Sequence, residues 1–135
     1  MSETQPVTEG IHHAGFTVPD IAATTAFFID ALGFTQVGEV ADYPAVFLSD
    51  GTVMITLWQA SDPARAVPFD RHQNVGLHHV AFKVRDLDVV HQLLKERSDV
   101  AIEFAPESLG GGATRHLICA VPGGIRVEFI APAAD

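Results

Sequence analysis

Two pairs of adjacent histidines are the residues of this sequence best suited to chemistry. His12-His13 and His78-His79 stand 66 positions apart. A neutral imidazole can bind a divalent metal ion or transfer a proton near neutral pH. A further candidate is Glu128, which lies in the middle of an otherwise apolar C-terminal segment. Because an ionised carboxylate in such a place must be paired, metal-bound or hydrated, these five residues are the first candidates for a functional site.

The residues around the histidine pairs repeat at the same offset, so the chain is built from one unit used twice. Segments 10–20 and 76–86 share Gly, His, His, Phe, Val and Asp in identical places. Both alternate in a way that predicts a β-strand, in which successive side chains point to opposite faces. His13 and His79 are therefore expected on the face with small neighbours. His12 and His78 are expected on the Phe and Val face, which a helix should cover, and so in a structural role.

Each histidine strand is followed by signals for a helix and for three more strands. Asp20 and Asp86 are suitable helix N-caps, and apolar residues follow both at helical spacing. The further strands are predicted at 34–40, 45–49, 52–59, 100–105, 113–121 and 125–131. Two β-α-β-β-β units result.

The domain organisation follows from this repeat. Residues 1–9 are polar and lack periodicity, and they are expected to form a loose N-terminal arm. The rest, 10–135, is expected to be a single domain, with module one at about 10–60, a linker at about 61–75 and module two at about 76–132.

Composition and charge exclude several classes of function. The net charge of −9 would repel a phosphate backbone, so no nucleic-acid partner is expected. No apolar run approaches the roughly 20 residues that span a bilayer, and no secretory signal is visible, which predicts no membrane partner and a cytoplasmic location. The lone Cys119 cannot form an internal disulfide.

Taken together, these patterns resemble the vicinal oxygen chelate superfamily. That superfamily includes glyoxalase I, bleomycin-resistance and fosfomycin-resistance proteins, methylmalonyl-CoA epimerase and extradiol dioxygenases. The resemblance covers the chain after the arm and is carried by segments 11–20, 27–28, 31–34, 77–84 and 122–129. It implies an α+β fold of two tandem βαβββ modules that form an eight-stranded cup, a homodimer, and a divalent metal ion on the inner face.

The resemblance also implies which residues bind the metal, because ligands in this superfamily come from the first and last strands of each module. The matching positions are His13, Thr56, His79 and Glu128. Thr56 departs from the pattern, since glyoxalase I has a carboxylate there. His13, His79 and Glu128 remain as expected ligands, with Glu128 as the expected catalytic residue. Two imidazoles and a carboxylate suit Fe, Mn, Co, Ni or Zn and leave positions open for substrate oxygens.

The expected function is that of a metal-dependent enzyme acting on a small oxygenated organic substrate. The departure at Thr56 disfavours glyoxalase I itself, because a threonine cannot act as a base near neutral pH. Dioxygenase chemistry and lyase or isomerase chemistry both stay open. The competing hypotheses are a metal-free protein of the bleomycin-resistance type that sequesters a small molecule, and a domain that keeps the metal only for folding.

Further residues are candidates for supporting roles. Met54 and Trp58 share the face of Thr56, and together with His116 these residues are expected to line a substrate pocket. Glu103 and Glu107 flank a run of glycines and are candidate general bases. Glu128 has an alternative role as an ion-pair partner of Arg115 or Arg126.

Overall fold

Each half of the chain forms a four-stranded mixed sheet with one α-helix. The structure is a computed structural model that describes residues 4–133. The first half contains β1 (His13–Val18), α1 (Ile21–Asp30), β2 (Thr35–Val40), β3 (Ala45–Ser49) and β4 (Met54–Gln59). The second contains β5 (Val80–Lys83), α2 (Leu87–Lys95), β6 (Ala101–Ser108), β7 (Arg115–Ala120) and β8 (Arg126–Ala131). A short 3-10 helix, Pro63–Arg65, lies in the connection between them. None of the helices described is long and apolar enough to cross a membrane.

The strand order is the same in both sheets. It is β1-β4-β3-β2 in the first and β5-β8-β7-β6 in the second. The first and last strands of each module run parallel to each other, which sets Gly15 beside Thr56 and Ala81 beside Glu128. The predicted fold of two tandem modules is therefore confirmed, and its eight strands form two separate sheets without closing into a barrel within residues 4–133.

Sequence capping signals explain where the two helices begin. The Asp20 carboxylate accepts a hydrogen bond from the Ala23 amide, and Asp86 accepts one from Val89, each at 3.2 Å. Both contacts satisfy an amide that the first helical turn would otherwise leave without a partner. Each helix is thereby held directly after its histidine strand, on the apolar side of the sheet.

The two modules share one apolar core. Phe28 of α1 lies against Phe34 of its own module and against Phe82 of β5, with ring centroids 5.2 and 6.3 Å apart. Phe82 in turn contacts Phe129 of β8. Cys119 is also in this core, where burial raises the pKa of its thiol to about 12. Because both sheets use their apolar faces here, their opposite faces are left for polar residues.

Two details of the strand predictions are wrong for identifiable reasons. β5 begins only at Val80, and His12 stands just before β1, so the alternating pattern does not extend to His12 or His78. Both side chains are exposed instead of lying beneath a helix. β6 runs to Ser108, beyond its predicted end at 105, because two register shifts interrupt its alternation.

A turn of module two is fitted against the helix of module one. The Thr24 hydroxyl, fully buried in α1, donates a hydrogen bond to the Pro122 carbonyl at 2.9 Å. Gly123 follows with φ +101°, and a Cβ there would lie 2.7 Å from that hydroxyl and 3.0 Å from Val18. Gly124, at φ +79°, has open space around its Cα. Gly123 is therefore required by its positive φ and by the lack of space for a Cβ, whereas Gly124 is required by its positive φ alone.

These two glycines give a matched test of the contact between modules. Alanine at either position is expected to lower the free energy of unfolding by about 1–2 kcal/mol, because an L-residue is strained at a positive φ. Gly123→Ala is expected to lose about 1–3 kcal/mol more than Gly124→Ala, because its methyl group collides with α1. The free energies of unfolding can be compared by urea denaturation followed by circular dichroism. Equal losses in the two variants would contradict this packing.

Candidate functional site

The first sheet presents one predicted metal ligand on its polar face. His13 is exposed at the start of β1 and stands beside Met54 of β4 in the parallel register. Ile55 and Leu57 are buried in the core, so Met54, Thr56 and Trp58 face the other way, as alternation requires. The His13 Nδ1 lies 2.9 Å from the Nδ1 of His12. The three predicted pocket residues of β4 therefore share a face with His13.

Aromatic side chains cover the rest of this face. The Trp58 Nε1 donates a hydrogen bond to the Thr56 hydroxyl at 2.9 Å, and Thr56 is only 3 % exposed. The Tyr43 and Phe47 rings pack against Trp58, with centroids 5.0 and 6.3 Å away. A Cβ at Gly15 would lie 2.8 Å from the Thr56 hydroxyl, so glycine leaves the space that this arrangement needs. The position where the resemblance implied a carboxylate is thus occupied by the Thr56 hydroxyl, which accepts the hydrogen bond of the Trp58 indole.

The sequence did not predict that Phe47 or Tyr43 belongs to this face. A signal existed for Phe47, which stands opposite Thr56 in the antiparallel register of β3 and β4. Residues paired across two strands share a face, so Phe47 had to lie with Thr56. Tyr43 lies before β3 begins, and no strand pattern could assign its direction.

The second sheet holds Glu128 between two imidazoles. Glu128 is 9 % exposed, its Oε1 lies 3.4 Å from the His79 Nε2, and its Oε2 lies 2.6 Å from the His116 Nδ1. His79 comes from just before β5, His116 from β7, and both strands flank β8. The predicted ligands His79 and Glu128 are therefore in contact, and His116 faces them from the other side.

His116 lies between two carboxylates. Its other ring nitrogen, Nε2, is 3.3 Å from the Oε1 of Glu107, which stands opposite it in the register of β6 and β7. His116 is 8 % exposed, whereas the Glu107 side chain is 56 % exposed. The chain of contacts His79, Glu128, His116 and Glu107 thus leads from the buried carboxylate to solvent.

Arg126 does not pair with Glu128, although it precedes it by two residues on the same face. Its guanidinium donates to both oxygens of Glu103, at 3.0 and 2.6 Å, and its Nη1 lies 3.0 Å from the His78 Nδ1. Arg71 of the linker also binds Glu103. The hydrogen bond and charge of Arg126 lower the pKa of Glu103, which therefore does not suit a general base. Arg115 forms its ion pair with Asp88, so neither of the two arginines proposed as partners forms an ion pair with Glu128.

A cleft runs between the polar side of β1 and the second sheet. Its volume is about 500 Å³, and its walls include Gly15, Thr17, His78, His79 and Arg126. A larger cleft of about 1310 Å³ lies under the linker and reaches Tyr43, Arg71 and Glu103. The smaller cleft therefore gives a small molecule access to His79 at the second sheet.

The structure brings some of the predicted residues together and keeps others apart. His79, Glu128 and His116 are in contact on the second sheet, whereas His13 lies with Met54, Thr56 and Trp58 on the first. Within residues 4–133, no three His, Cys, Asp or Glu side chains are arranged to hold a metal ion. The imidazole and carboxylate pair on module two has the right donor types for a divalent metal, and no third ligand is arranged beside it among residues 4–133.

Comparison with known proteins identifies relatives over nearly the whole chain. The Glyoxalase/Bleomycin resistance protein/Dioxygenase superfamily model matches residues 10–129. A 2-epi-5-epi-valiolone epimerase from Actinomyces sp is 26% identical over a match that covers 93% of this chain and 80% of the relative.

Solved structures are similar in fold. A glyoxylase/bleomycin resistance protein/dioxygenase domain from Frankia sp. EAN1pec has a TM-score of 0.78 at 21% identity and covers 92% of each chain. A lactoylglutathione lyase from Agrobacterium tumefaciens has a TM-score of 0.70 at 23% identity, over 93% of this chain and 96% of the other. At these identities the structures establish a common fold.

The hydrogen bond between Trp58 and Thr56 can be tested directly, because Trp58 is the only tryptophan of the sequence. Thr56→Val keeps the shape but removes the acceptor of the indole N–H. We expect a shift in the tryptophan emission maximum and a loss of about 1–2 kcal/mol of stability. Thr35→Val, at the exposed start of β2, is the control and should change neither. An unchanged emission spectrum in Thr56→Val would contradict the contact.

Proposed function

The chain belongs to the Glyoxalase/Bleomycin resistance protein/Dioxygenase superfamily, and from this premise we propose that it is a metal-dependent enzyme. Its substrate is a small oxygenated organic molecule that binds the metal through two oxygens. The observation that carries the proposal is the facing pair of atoms on the second sheet, His79 Nε2 and Glu128 Oε1, 3.4 Å apart.

The distance between these atoms supports a shared metal ion. Metal–nitrogen and metal–oxygen bonds are each about 2 Å long, so two ligands of one ion stand about 3 Å apart. At 3.4 Å the His79 and Glu128 atoms are near that separation but too far apart for a strong charged hydrogen bond. His116 occupies the other Glu128 oxygen, which leaves Oε1 as the atom available to a metal.

We propose that the third ligand is His13 of a second copy of the chain in a homodimer. His13 is exposed on β1, and β1 and β5 pair on one side only in the part of the chain described. The apolar residues Ile11 and Leu77, beside these open edges, are 83% and 54% exposed. Burial of both edges against another copy would cover this surface. It would also bring His13 of that copy to His79 and Glu128.

The residues of the chain would divide the work in the following way. A bound divalent metal ion supplies Lewis acidity to the substrate oxygens. His79 and Glu128 hold the ion, and His116 fixes the orientation of the carboxylate. The aromatic face of Tyr43, Phe47 and Trp58 offers a water-poor surface for the carbon skeleton of the substrate.

Among the possible reactions we favour isomerase or lyase chemistry. A sequence relative that matches 93% of the chain is an epimerase, and epimerisation moves a proton at one carbon. The second sheet provides imidazole and carboxylate groups in contact, the residue types that most often carry protons in enzymes. Ring-cleaving dioxygenase chemistry is the second reaction class, and the uptake of iron in preference to zinc or nickel would favour it.

A second candidate function is sequestration of a small molecule without catalysis, as in bleomycin-resistance proteins. The observation in its favour is the aromatic face of module one, where the hydroxyl of Thr56 takes the place of a ligand. The two functions differ in whether the protein needs a metal ion.

Metal binding is the test that separates them. The wild-type protein is expected to bind one divalent ion per site, measured by elemental analysis after reconstitution and by calorimetry. His79→Ala and Glu128→Ala should weaken binding more than about 100-fold, because even residues that only support a ligand cost 10–100-fold. His91→Ala, in α2, is the control and should bind normally. Equal metal binding by all four proteins would overturn the proposed site.

Mixing two inactive variants tests whether the site is shared between copies. His13→Ala and His79→Ala should each fail to bind metal as homodimers. In a mixed dimer, intact His13 of one copy meets intact His79 and Glu128 of the other, so about one site in four should recover after random exchange. If mixing restores nothing while each variant stays dimeric, the site is not shared in this way.

A further inference from the structure

We propose that Arg71 and Arg126 provide a binding site for an anionic group of the substrate, a carboxylate or a phosphate. The part of this arginine pair in binding a substrate rests on the function proposed above, whereas its affinity for an anion is a property of the metal-free protein. The substrate class is then a small organic acid or phosphate ester, bound through two oxygens at the metal and through its anionic group at the arginine pair.

Two guanidinium groups share a single carboxylate in this part of the molecule. Arg126 donates from its Nε and Nη2 to the two oxygens of Glu103, at 3.0 and 2.6 Å, and Arg71 of the linker forms an ion pair with the same carboxylate. Two positive charges beside one negative charge leave the cluster with a net positive charge. The chain as a whole has 17 acidic residues and 8 basic ones, so this local excess of positive charge is an exception.

The excess positive charge lies in a cleft. Both arginines line the larger cleft of about 1310 Å³, and Arg65 of the short 3-10 helix lines it as well. Arg126 is 8 % exposed, and the Arg71 side chain is 33 % exposed. A cleft with protein walls concentrates the electric field of its charged groups, so an anion is attracted here more strongly than to an open surface with the same charges.

The two aspartates of this cleft, Asp62 and Asp70, do not neutralise the arginine pair. The Asp70 carboxylate accepts a hydrogen bond from the His72 amide at 2.8 Å, within the linker itself. Neither aspartate forms an ion pair with an arginine of the cleft among residues 4–133. Three arginines and three carboxylates therefore line this cleft, whereas the whole chain has about half as many basic residues as acidic ones.

Arg71 retains a hydrogen-bond donor for an incoming anion. Its Nη1 donates to Glu103, and its Nε lies 3.2 Å from the His72 Nε2. Its Nη2 has no hydrogen-bond partner within the part of the chain described. A planar guanidinium fits the oxygens of a carboxylate or a phosphate, and Glu103 is an example of such a group bound by the same two arginines. Arg126, whose nitrogens face Glu103 and His78, contributes its charge.

The arginine pair adjoins the proposed metal site. The smaller cleft, which His79 lines, shares Phe69 and Arg126 with the larger one. Arg126 lies at this junction, and its Nη1 approaches the ring of His78, the residue before His79, to 3.0 Å. A substrate that extends from His79 past Arg126 therefore enters the larger cleft, where its anionic group meets Arg71.

The first test is an NMR titration of the metal-free, ¹⁵N-labelled protein with inorganic phosphate and, separately, with acetate. The Arg71 Nε–H signal is expected to shift and to reach saturation with at least one of these anions. Sodium chloride at the same ionic strength is the control for screening and should give no saturation. Tighter binding of phosphate indicates a phosphate ester as the substrate, and tighter binding of acetate indicates a carboxylic acid.

The second test compares variants that should change the affinity in opposite directions. Arg71→Gln should bind the anion about 10-fold more weakly than wild type or worse, because it removes a charged donor. Glu103→Gln removes the carboxylate that competes for the two arginines and keeps an oxygen acceptor for Arg126, so it should bind the anion about 10-fold more tightly. Damage to the fold cannot produce tighter binding.

The control variant removes one positive charge elsewhere. Arg85 is exposed and lines neither cleft, so Arg85→Gln should bind the anion as wild type does. Circular dichroism verifies that each variant is folded. If Glu103→Gln does not fold, the comparison of Arg71→Gln with Arg85→Gln decides, and equal affinities in these two variants contradict the site.

The outcomes separate this proposal from the function it serves. Wild-type protein that shows no saturable binding of either phosphate or acetate overturns the anion site, even if it binds a divalent metal as proposed above. Equal anion affinity in wild type, Arg71→Gln and Glu103→Gln overturns it as well. If the anion affinities change as expected and wild type binds no divalent metal, the anion site is supported and the metal-dependent function fails.

Discussion

The burial of one carboxylate, Glu128, constrains the whole polar face of the second sheet. Removing an ionised carboxylate from water costs several kcal/mol, and the cost must be offset by close partners. These partners are His79, just before β5, and His116 of β7, one at each oxygen. Arg126, two residues earlier on the same strand, has its own carboxylate in Glu103, which keeps it from neutralising Glu128 as a simple ion pair. The result is a carboxylate oxygen directed at an imidazole instead of at a cationic side chain.

The two modules have the same strand order and different side chains on their polar faces. Module one has Met54 and Thr56 where module two has Arg126 and Glu128. Thr56 satisfies the indole of Trp58, and the surrounding rings make this face aromatic. Module two instead carries a connected set of charged and imidazole groups. The two polar faces therefore offer different surfaces, one aromatic and one charged, on the same order of strands.

Much of this arrangement could be predicted from sequence, because it depends on local periodicity and on the internal repeat. The repeat identified the modules, alternation set Thr56 and Trp58 on one face, and the isolated charge of Glu128 marked it as a residue in need of partners. The contact of Arg126 with His78 could not be predicted, since β5 begins after His78 and alternation says nothing about a residue outside the strand. The Glu103 pairing was equally hidden, because the register shifts in β6 change which residues face the cleft. The relation of His13 to Glu128 depends on how whole modules are arranged, which no local pattern encodes.

The parallel pairing of the first and last strands in each module allows the polar groups of the two modules to differ. Because β5 lies beside β8, His79 and Glu128 meet through contacts that are entirely internal to module two. The linker between the modules takes no part in the contact between His79 and Glu128. A change of side chain in module one, such as Thr56 in place of a carboxylate, therefore leaves the contact between His79 and Glu128 in place. The two halves can therefore carry different polar groups on the same arrangement of strands.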